Sequence, residues 1–183
     1  PSGCDEQCGS TLVDDECGEC GGDGSTCDSQ VYCAGEQISS EDQNQEFSVC
    51  YGACDCTSWN LADYAGDIIF LDLSATWCAP CEEAIPDIDA LEEYWSGQNT
   101  NVKFVTALSD INQLHTCSDW GDQGILGSPL IVEDPNLQIH DWFKEGTVYP
   151  GYVLIDHTMT VRAKVSGVFS NNNTAECDGG EDL

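Results

Sequence analysis

The sequence predicts an α/β fold, a central sheet of mixed strand direction flanked by helices, behind a disulfide-rich, loop-dominated N-terminal arm. Three observations predict it. From residue 68 onward, short apolar strand patterns alternate with helical patterns and then end in a hairpin pattern. Thirteen cysteines stand in 183 residues, nine of them before residue 60. One apolar run ends in Trp77-Cys78-Ala79-Pro80-Cys81, directly before a helical pattern.

Residues 1–33 are one compositional block of Gly, Asp, Ser and Cys that holds Cys4, Cys8, Cys17, Cys20, Cys27 and Cys33. With almost no large apolar side chains it cannot bury a core, so crosslinks or a metal must order it. The stretch Asp15 to Cys27 resembles the D-E-C-G-x-C-G-G-D-x-S-x-C module of extracellular multidomain proteins, which implies secretion and disulfides. Cys17-x-x-Cys20 lacks a second knuckle of matching spacing for zinc. Asp15, Asp23 and Asp28 do not follow an EF-hand loop. Pairing of the six cysteines is the favoured reading. Residues 34–46 are polar and read as a linker, and 47–169 read as the globular domain.

Within that domain Ile68–Leu73 is a branched apolar run suited to a buried central strand. From Cys81 to Trp95, apolar Ala84, Ile85, Ile88, Leu91 and Trp95 recur near helical spacing, with Pro86 expected to kink the helix. Val102–Leu108 reads as a strand, Ile111–Trp120 as a helix, Leu130–Val132 as a strand and Asp134–Lys144 as a helix. Tyr152–Asp156 and Thr160–Val165 alternate as a hairpin around His157-Thr158. Residues 170–183 form a polar, acidic tail expected to be flexible. Asn172-Asn173-Thr174 fits a glycosylation sequon, a match that is common by chance.

The chain carries 34 acidic residues against 4 basic ones (Lys103, Lys144, Arg162, Lys164), a net charge of −30. Nucleic acid and anionic membrane surfaces are excluded as partners, because both need Lys and Arg. Acids spread along the whole chain point to solubility in a salty medium rather than to a basic partner. The cysteine density implies an oxidising compartment, secreted or periplasmic. No apolar run approaches the ~18 residues of a membrane span, so no membrane insertion is expected. The start at Pro1 is expected to reflect processing or truncation that removed an export signal.

A C-x-x-C pair on its own fits redox chemistry, zinc or haem. Haem attachment needs a His after the second cysteine, where Glu82 stands. Zinc needs more ligands, and His115, His140 and His157 are scattered. Delivery of the pair by a strand to a helix start decides for redox, because the unpaired N–H groups and dipole there favour a thiolate. No metal and no cofactor is expected. Cys78, at the helix start, is the expected nucleophile, with an exposed sulfur. Cys81, one turn further in, is the expected resolving thiol. Pro80 suits a helix start, where a missing N–H costs nothing.

Phe70-Leu71-Asp72-Leu73-Ser74-Ala75-Thr76-Trp77-Cys78-Ala79-Pro80-Cys81, with Pro86 five residues on, resembles the active-site strand and helix of thioredoxins. Trp59 to Gly66 is similar to the segment that enters this strand in exported TlpA/ResA-type proteins. The long stretch from Leu108 to Pro150 fits the same branch, which carries an extra helix and strand there. Tyr149-Pro150-Gly151-Tyr152 through Gly167 resembles the closing segment of that family. The resemblance spans roughly residues 45–168 and implies a thioredoxin-like fold.

It also bears on the roles of individual residues. Asp72 interrupts an apolar strand. On the residues alone it is either a buried carboxylate or a strand-end acid facing solvent. The resemblance implies the former, an acid that assists deprotonation of Cys81. Pro150 alone would be an ordinary trans turn proline, whereas the resemblance implies a cis bond opposite the dithiol. Tyr149 stands where small or branched residues are usual. Trp77 reads either as substrate surface beside Cys78 or as core packing, and Ala79 and Pro80 lie on the same substrate-facing segment. Glu82 and Glu83 depart from thioredoxins, which usually carry a basic residue there. They suit the first helical turn, but they oppose the Cys78 thiolate, which argues for a reductant poise over a strong oxidant.

The function expected is therefore an exported thiol-disulfide oxidoreductase, a reductase rather than an oxidase, with protein disulfides as substrates and an unidentified thiol electron donor. The alternatives are a non-enzymatic extracellular module on the same scaffold, or a peroxiredoxin-type peroxidase. The latter lacks a T-x-x-C context, and Arg162 is the only arginine. Cys50, Cys54, Cys56, Cys117 and Cys177 are expected to form structural bridges. Setting aside Cys78 and Cys81 leaves 13 − 2 = 11 cysteines, an odd number. The leftover thiol is expected within residues 1–33.

Overall fold

A computed structural model describes residues 3–4, 9–13, 20–21, 31–52, 54–98, 100–124, 129–144 and 148–167. Most of the 15–27 module, the acidic tail with its sequon, and Cys177 lie outside the described residues. Contacts divide the chain into two units, Pro1–Gln30 and Val31–Leu183. In the first, a Cys4–Cys20 disulfide closes the arm. The Cys4 N–H donates to the Leu12 carbonyl at 3.0 Å and the Gly21 N–H to the Val13 carbonyl at 2.9 Å.

The second unit runs α1 (Ser40–Gln43), β1 (Phe47–Tyr51), β2 (Ser58–Trp59), a 3-10 turn (Leu61–Tyr64), β3 (Ile68–Ala75), α2 (Ala79–Gly97), β4 (Val102–Ser109), α3 (Cys117–Gly121), β5 (Leu130–Glu133), α4 (Gln138–Phe143), β6 (Gly151–Ile155) and β7 (Val161–Ser166). Seven strands form one sheet in the order β2-β1-β5-β4-β3-β6-β7. β3, β4 and β5 are parallel, while β1, β6 and β7 join antiparallel. This is the mixed sheet that strand–helix alternation followed by a hairpin requires.

Strand periodicity sorts β3 into two faces. Ile69, Leu71 and Leu73 enter one buried cluster with Val105, Val132, Val153 and Ile155 from neighbouring strands and Trp142 and Phe143 from α4. The intervening Asp72 and Ser74 face the other way, where Ile85 of α2, Trp120 of α3 and Ile131 of β5 lie with the two site cysteines. β3 is therefore buried on both sides, as its near-continuous apolar pattern demands.

Residues 34–46 are not the linker that their polarity suggested. Ile38 is 1 % exposed and belongs to the main cluster, as does fully buried Tyr32. The segment runs beside the final hairpin: the Ile38 N–H donates to the Met159 carbonyl, the Gly35 N–H to Val161 and the Val161 N–H to Glu36. The Ser39 hydroxyl then caps α1 by accepting from the Asp42 N–H at 3.1 Å. Single apolar side chains and backbone pairing hold this strap, and neither leaves a periodic signal.

Two expected helices are shorter than their patterns. The 111–120 pattern becomes helical only at Cys117, since Asp110 (φ 52°) and Asn112 (φ 70°) turn the chain through left-handed conformations first. The 134–144 pattern begins at Gln138 because buried Asp134 acts as a cap, accepting from the Ile139 and His140 N–H groups at 3.2 and 2.9 Å. Pro86, expected to kink α2, sits inside a helix that continues to Gly97.

Cys50 of β1 is disulfide-bonded to Cys117 of α3 across 67 residues, and Cys54 to Cys56 across two. Beside the first bridge, a side chain at Gly121 would put its Cβ 2.5 Å from the Tyr51 ring, so only glycine permits this approach of α3 to β1. Loop-closure entropy separates the two bridges. Cys50→Ser/Cys117→Ser is expected to lower unfolding free energy by about 3 kcal/mol in urea titration, and Cys54→Ser/Cys56→Ser by clearly less.

Candidate active site

The C-x-x-C segment occupies the junction between β3 and the 19-residue helix α2. Cys78 is the N-cap, and its sulfur accepts the Cys81 N–H at 3.2 Å. Ala79 and Pro80 open the first turn, so the positive end of the helix meets the Cys78 sulfur. The two cysteines are joined by a disulfide. Cys78 is only 4 % exposed and Cys81 1 %, which corrects the expectation of an exposed Cys78 sulfur. Both lie in a buried cluster with Leu108 and Trp120, against which Ile111 and Tyr149 pack.

Exposure falls instead on the residues around Cys78. Trp77 is 48 % exposed, which excludes core packing, and Ala79 and Pro80 are exposed beside it. The Trp77 indole N–H donates to the Asp110 carboxylate, and its ring meets the Tyr149 ring edge-on at 5.6 Å. The Thr76 hydroxyl donates to the Asp110 carbonyl. The left-handed Asp110 thus aligns the loop after β4 with the loop after β3.

The Tyr149–Pro150 peptide bond is cis. Pro150 is buried, and Gly151, next in the chain, pairs with Leu73 of β3. Tyr149 is partly buried, its hydroxyl 3.0 Å from the Ser109 hydroxyl and its ring stacked on His140 at 4.6 Å. Burial holds the Tyr149 phenol above its ordinary pKa.

Asp72 is 4 % exposed, beneath α2. Its carboxylate accepts from the Ser74 hydroxyl at 2.9 and 3.0 Å and from the Thr106 hydroxyl at 3.2 Å. Burial pushes its pKa up to about 7, and the two hydroxyls pull it only partly back. It is a buried acid that changes charge near neutral pH, and the reading of a solvent-facing strand end is overturned. Sequence reasoning missed Ser74 and Thr106. Ser74 could have been found, since strand residues at i and i+2 share a face. Thr106 needed the β3–β4 register, in which it pairs with Asp72.

Of the three histidines, His115 lies 3.7 Å from the Glu82 carboxylate and His140 stacks on Tyr149, so both border the site, a placement the sequence did not signal. Among the described residues, no three His, Cys, Asp or Glu side chains gather in a way that could hold a metal ion.

The family model that matches this chain is the AhpC/TSA family, over residues 41–164. Among solved structures, a secreted Mycobacterium tuberculosis disulfide oxidoreductase superimposes with a TM-score of 0.56 at 13% identity, covering 72% of this chain and 90% of its own. An exposed lipoprotein thioredoxin of Streptococcus pneumoniae gives a TM-score of 0.52 at 21% identity, over 69% of this chain and 90% of its own. Peroxiredoxin Q of Xanthomonas campestris gives 0.56 at 16% identity, over 74% and 88%. At these identities the structures establish the thioredoxin-like fold, and the family match covers well over half of the sequence. This chain belongs to the AhpC/TSA family.

Proposed function

We propose that this thiol-disulfide oxidoreductase reduces disulfides in polypeptides outside the cytoplasm, with Cys78 as nucleophile and Cys81 as resolving thiol. The observation that carries the reading is the Cys78–Cys81 pair at the start of α2 with the buried Asp72 beneath that helix. In the reduced protein the Cys78 thiolate attacks a substrate disulfide and forms a mixed disulfide. Asp72 takes the Cys81 proton, and the Cys81 thiolate attacks the Cys78 sulfur and releases the reduced substrate. Exposed Trp77, Ala79 and Pro80 are the substrate-facing surface, and the backbone at partly buried Tyr149, before the buried cis Pro150, suits an extended chain. Glu82 and Glu83 favour the reductant direction, because their charge opposes a stable Cys78 thiolate. The Cys4–Cys20, Cys50–Cys117 and Cys54–Cys56 bridges support an oxidising compartment, secreted or periplasmic.

The family match and the Xanthomonas neighbour favour a second reading, a peroxidase. Against it, Arg162 is bound to Asp156 at 2.6 Å. Arg162 follows Val161, which pairs with Ile155, and Ile155 pairs with Ile69 at the end of β3 far from Cys78. The only arginine in the chain is thus placed away from the thiol it would need to activate. Insulin reduction driven by dithiothreitol should be accelerated by this protein, and hydrogen peroxide consumption should not. The Cys78–Cys81 couple is expected to have a potential below about −150 mV in glutathione equilibration. A higher value overturns the reductant direction. Peroxide turnover without insulin turnover overturns the exchange reading, and neither activity leaves the non-enzymatic module.

A further inference from the structure

A second buried carboxylate lies close to Asp72 and has no part in the scheme above. Asp89 is 2 % exposed and continues the inward stripe Cys81, Ile85, Asp89 on α2, at i, i+4 and i+8. That stripe faces the sheet, where an apolar side chain would ordinarily stand. Between helix and sheet is a pocket of about 20 Å³, bordered by both carboxyl residues, Asp72 and Asp89, together with Thr106, Ile85, Ile88 and Trp120. That volume has room for about one water molecule, and Asp72, Asp89 and Thr106 are the polar residues of its lining. One turn further along α2, Glu92 is only partly buried. Its carboxyl is held above the usual range, first by burial and then by the charge of Asp89, so the two groups are near neighbours. Three carboxyl groups therefore step from the sheet interior to the surface. Tyr152 of β6 pairs with Asp72 across the sheet.

We propose that Asp89 and Glu92, with one water in this pocket, carry the proton between Asp72 and solvent. The route rests on the thiol-disulfide exchange proposed above and completes its proton balance. As Cys81 resolves the mixed disulfide, its S–H bond breaks and the proton passes to the Asp72 carboxylate. The sulfur electron pair forms the new bond to Cys78 and the substrate leaves as a thiolate. The Asp72 O–H bond breaks in the same step, the pocket water passing a proton to Asp89 and Asp89 one through Glu92 to bulk water, so substrate release waits on the exit of this proton. Each carboxylate returns to its starting state, and the only electrons transferred are the pair exchanged between disulfides. Asp89 acts through Asp72 and touches no substrate.

The test is a single turnover of the pre-reduced protein with insulin, following release of substrate thiol by stopped flow. Asp89→Asn is expected to slow release about tenfold and to enlarge the solvent deuterium isotope effect. Asp89→Glu should restore both, and the Cys78–Cys81 midpoint potential should stay unchanged in each variant. Glu92→Gln should slow release about threefold. An Asp89→Asn rate equal to the parent overturns the route. So does a slowing that Asp89→Glu does not restore and that leaves the isotope effect unchanged, which marks a packing role. Should Asp89→Asn fail to fold, Glu92→Gln at the helix surface decides: a parental rate and isotope effect overturn the route. If the parent reduces insulin no faster than its Cys78→Ser variant, the exchange reading has failed. If only the Asp89 and Glu92 variants match the parent, the proton route alone has failed.

Discussion

Cys78→Ser is expected to abolish catalysed insulin reduction, by at least about 10³-fold, while Cys81→Ser stops the reaction one step later. The asymmetry follows from position. Cys78 is the helix cap, and its sulfur already accepts the Cys81 N–H, so a negative charge there meets a hydrogen-bond donor and the helix dipole. Cys81 is 1 % exposed and can reach only the Cys78 sulfur. With Cys81 replaced, the mixed disulfide has no resolving thiol and accumulates. Non-reducing gels of the Cys81→Ser protein mixed with insulin should show a band that dithiothreitol removes. The Cys78→Ser protein should show none. A crosslinked band in Cys78→Ser, or its full activity, would reverse the two roles.

The parts of this site that were legible in the sequence are those set by local chemistry. A branched apolar run, two cysteines three apart, and a proline at a helix start each have one cheap conformation, so β3 and the start of α2 were readable from residues 68–81. Buried Asp72 was readable as a polar interruption, although its side of the strand was not. What escaped depended on pairing between distant segments. Thr106 reaches Asp72 only through the β3–β4 register. His140 reaches Tyr149 from α4, whose start Asp134 caps, across a separation in sequence that no periodic pattern reports. The strap of residues 34–46 is held by backbone bonds to the final hairpin, and polar composition is silent about backbone bonds. Strands β1 and β2, at one side of the sheet, are likewise short with little alternation, and the Cys50–Cys117 bridge joins β1 to α3. The half-exposed Trp77 fits its reading as surface, whereas the covered Cys78 departs from the exposed sulfur expected. The large ring ties itself to Asp110 and Tyr149 across the loops, and the small sulfur is buried in the cluster with Leu108 and Trp120.

Asp72→Asn should stabilise the protein at alkaline pH and impair it as an enzyme. In the unfolded chain Asp72 ionises near 3.8, and in the fold near 7, because burial penalises its charge. A folded pKa above the unfolded one means that the folded state binds the proton more tightly. The stability this supplies is complete below about pH 4 and is lost as pH rises through about 7. The upward move of roughly three pH units corresponds to about 4 kcal/mol. The substituted amide has no charge to bury and can still meet the Ser74 and Thr106 hydroxyls, whose protons rotate to suit it. Urea unfolding from pH 4 to pH 9 should therefore show the variant gaining on the parent through the neutral range. The difference should reach a plateau of order 4 kcal/mol above about pH 8. Burial also raises Asp134, which titrates in both proteins, so the difference between the two curves isolates Asp72. Activity should move the opposite way, with release of substrate from the mixed disulfide slowed on the order of 10²-fold at neutral pH, because nothing then accepts the Cys81 proton. A variant less stable than the parent at pH 9 would show that the charge is compensated in the fold. Unimpaired release would show that Cys81 loses its proton elsewhere. A gain in stability paired with a loss in turnover is what a buried acid kept for chemistry requires, since packing alone would favour the neutral side chain at every pH above the unfolded pKa.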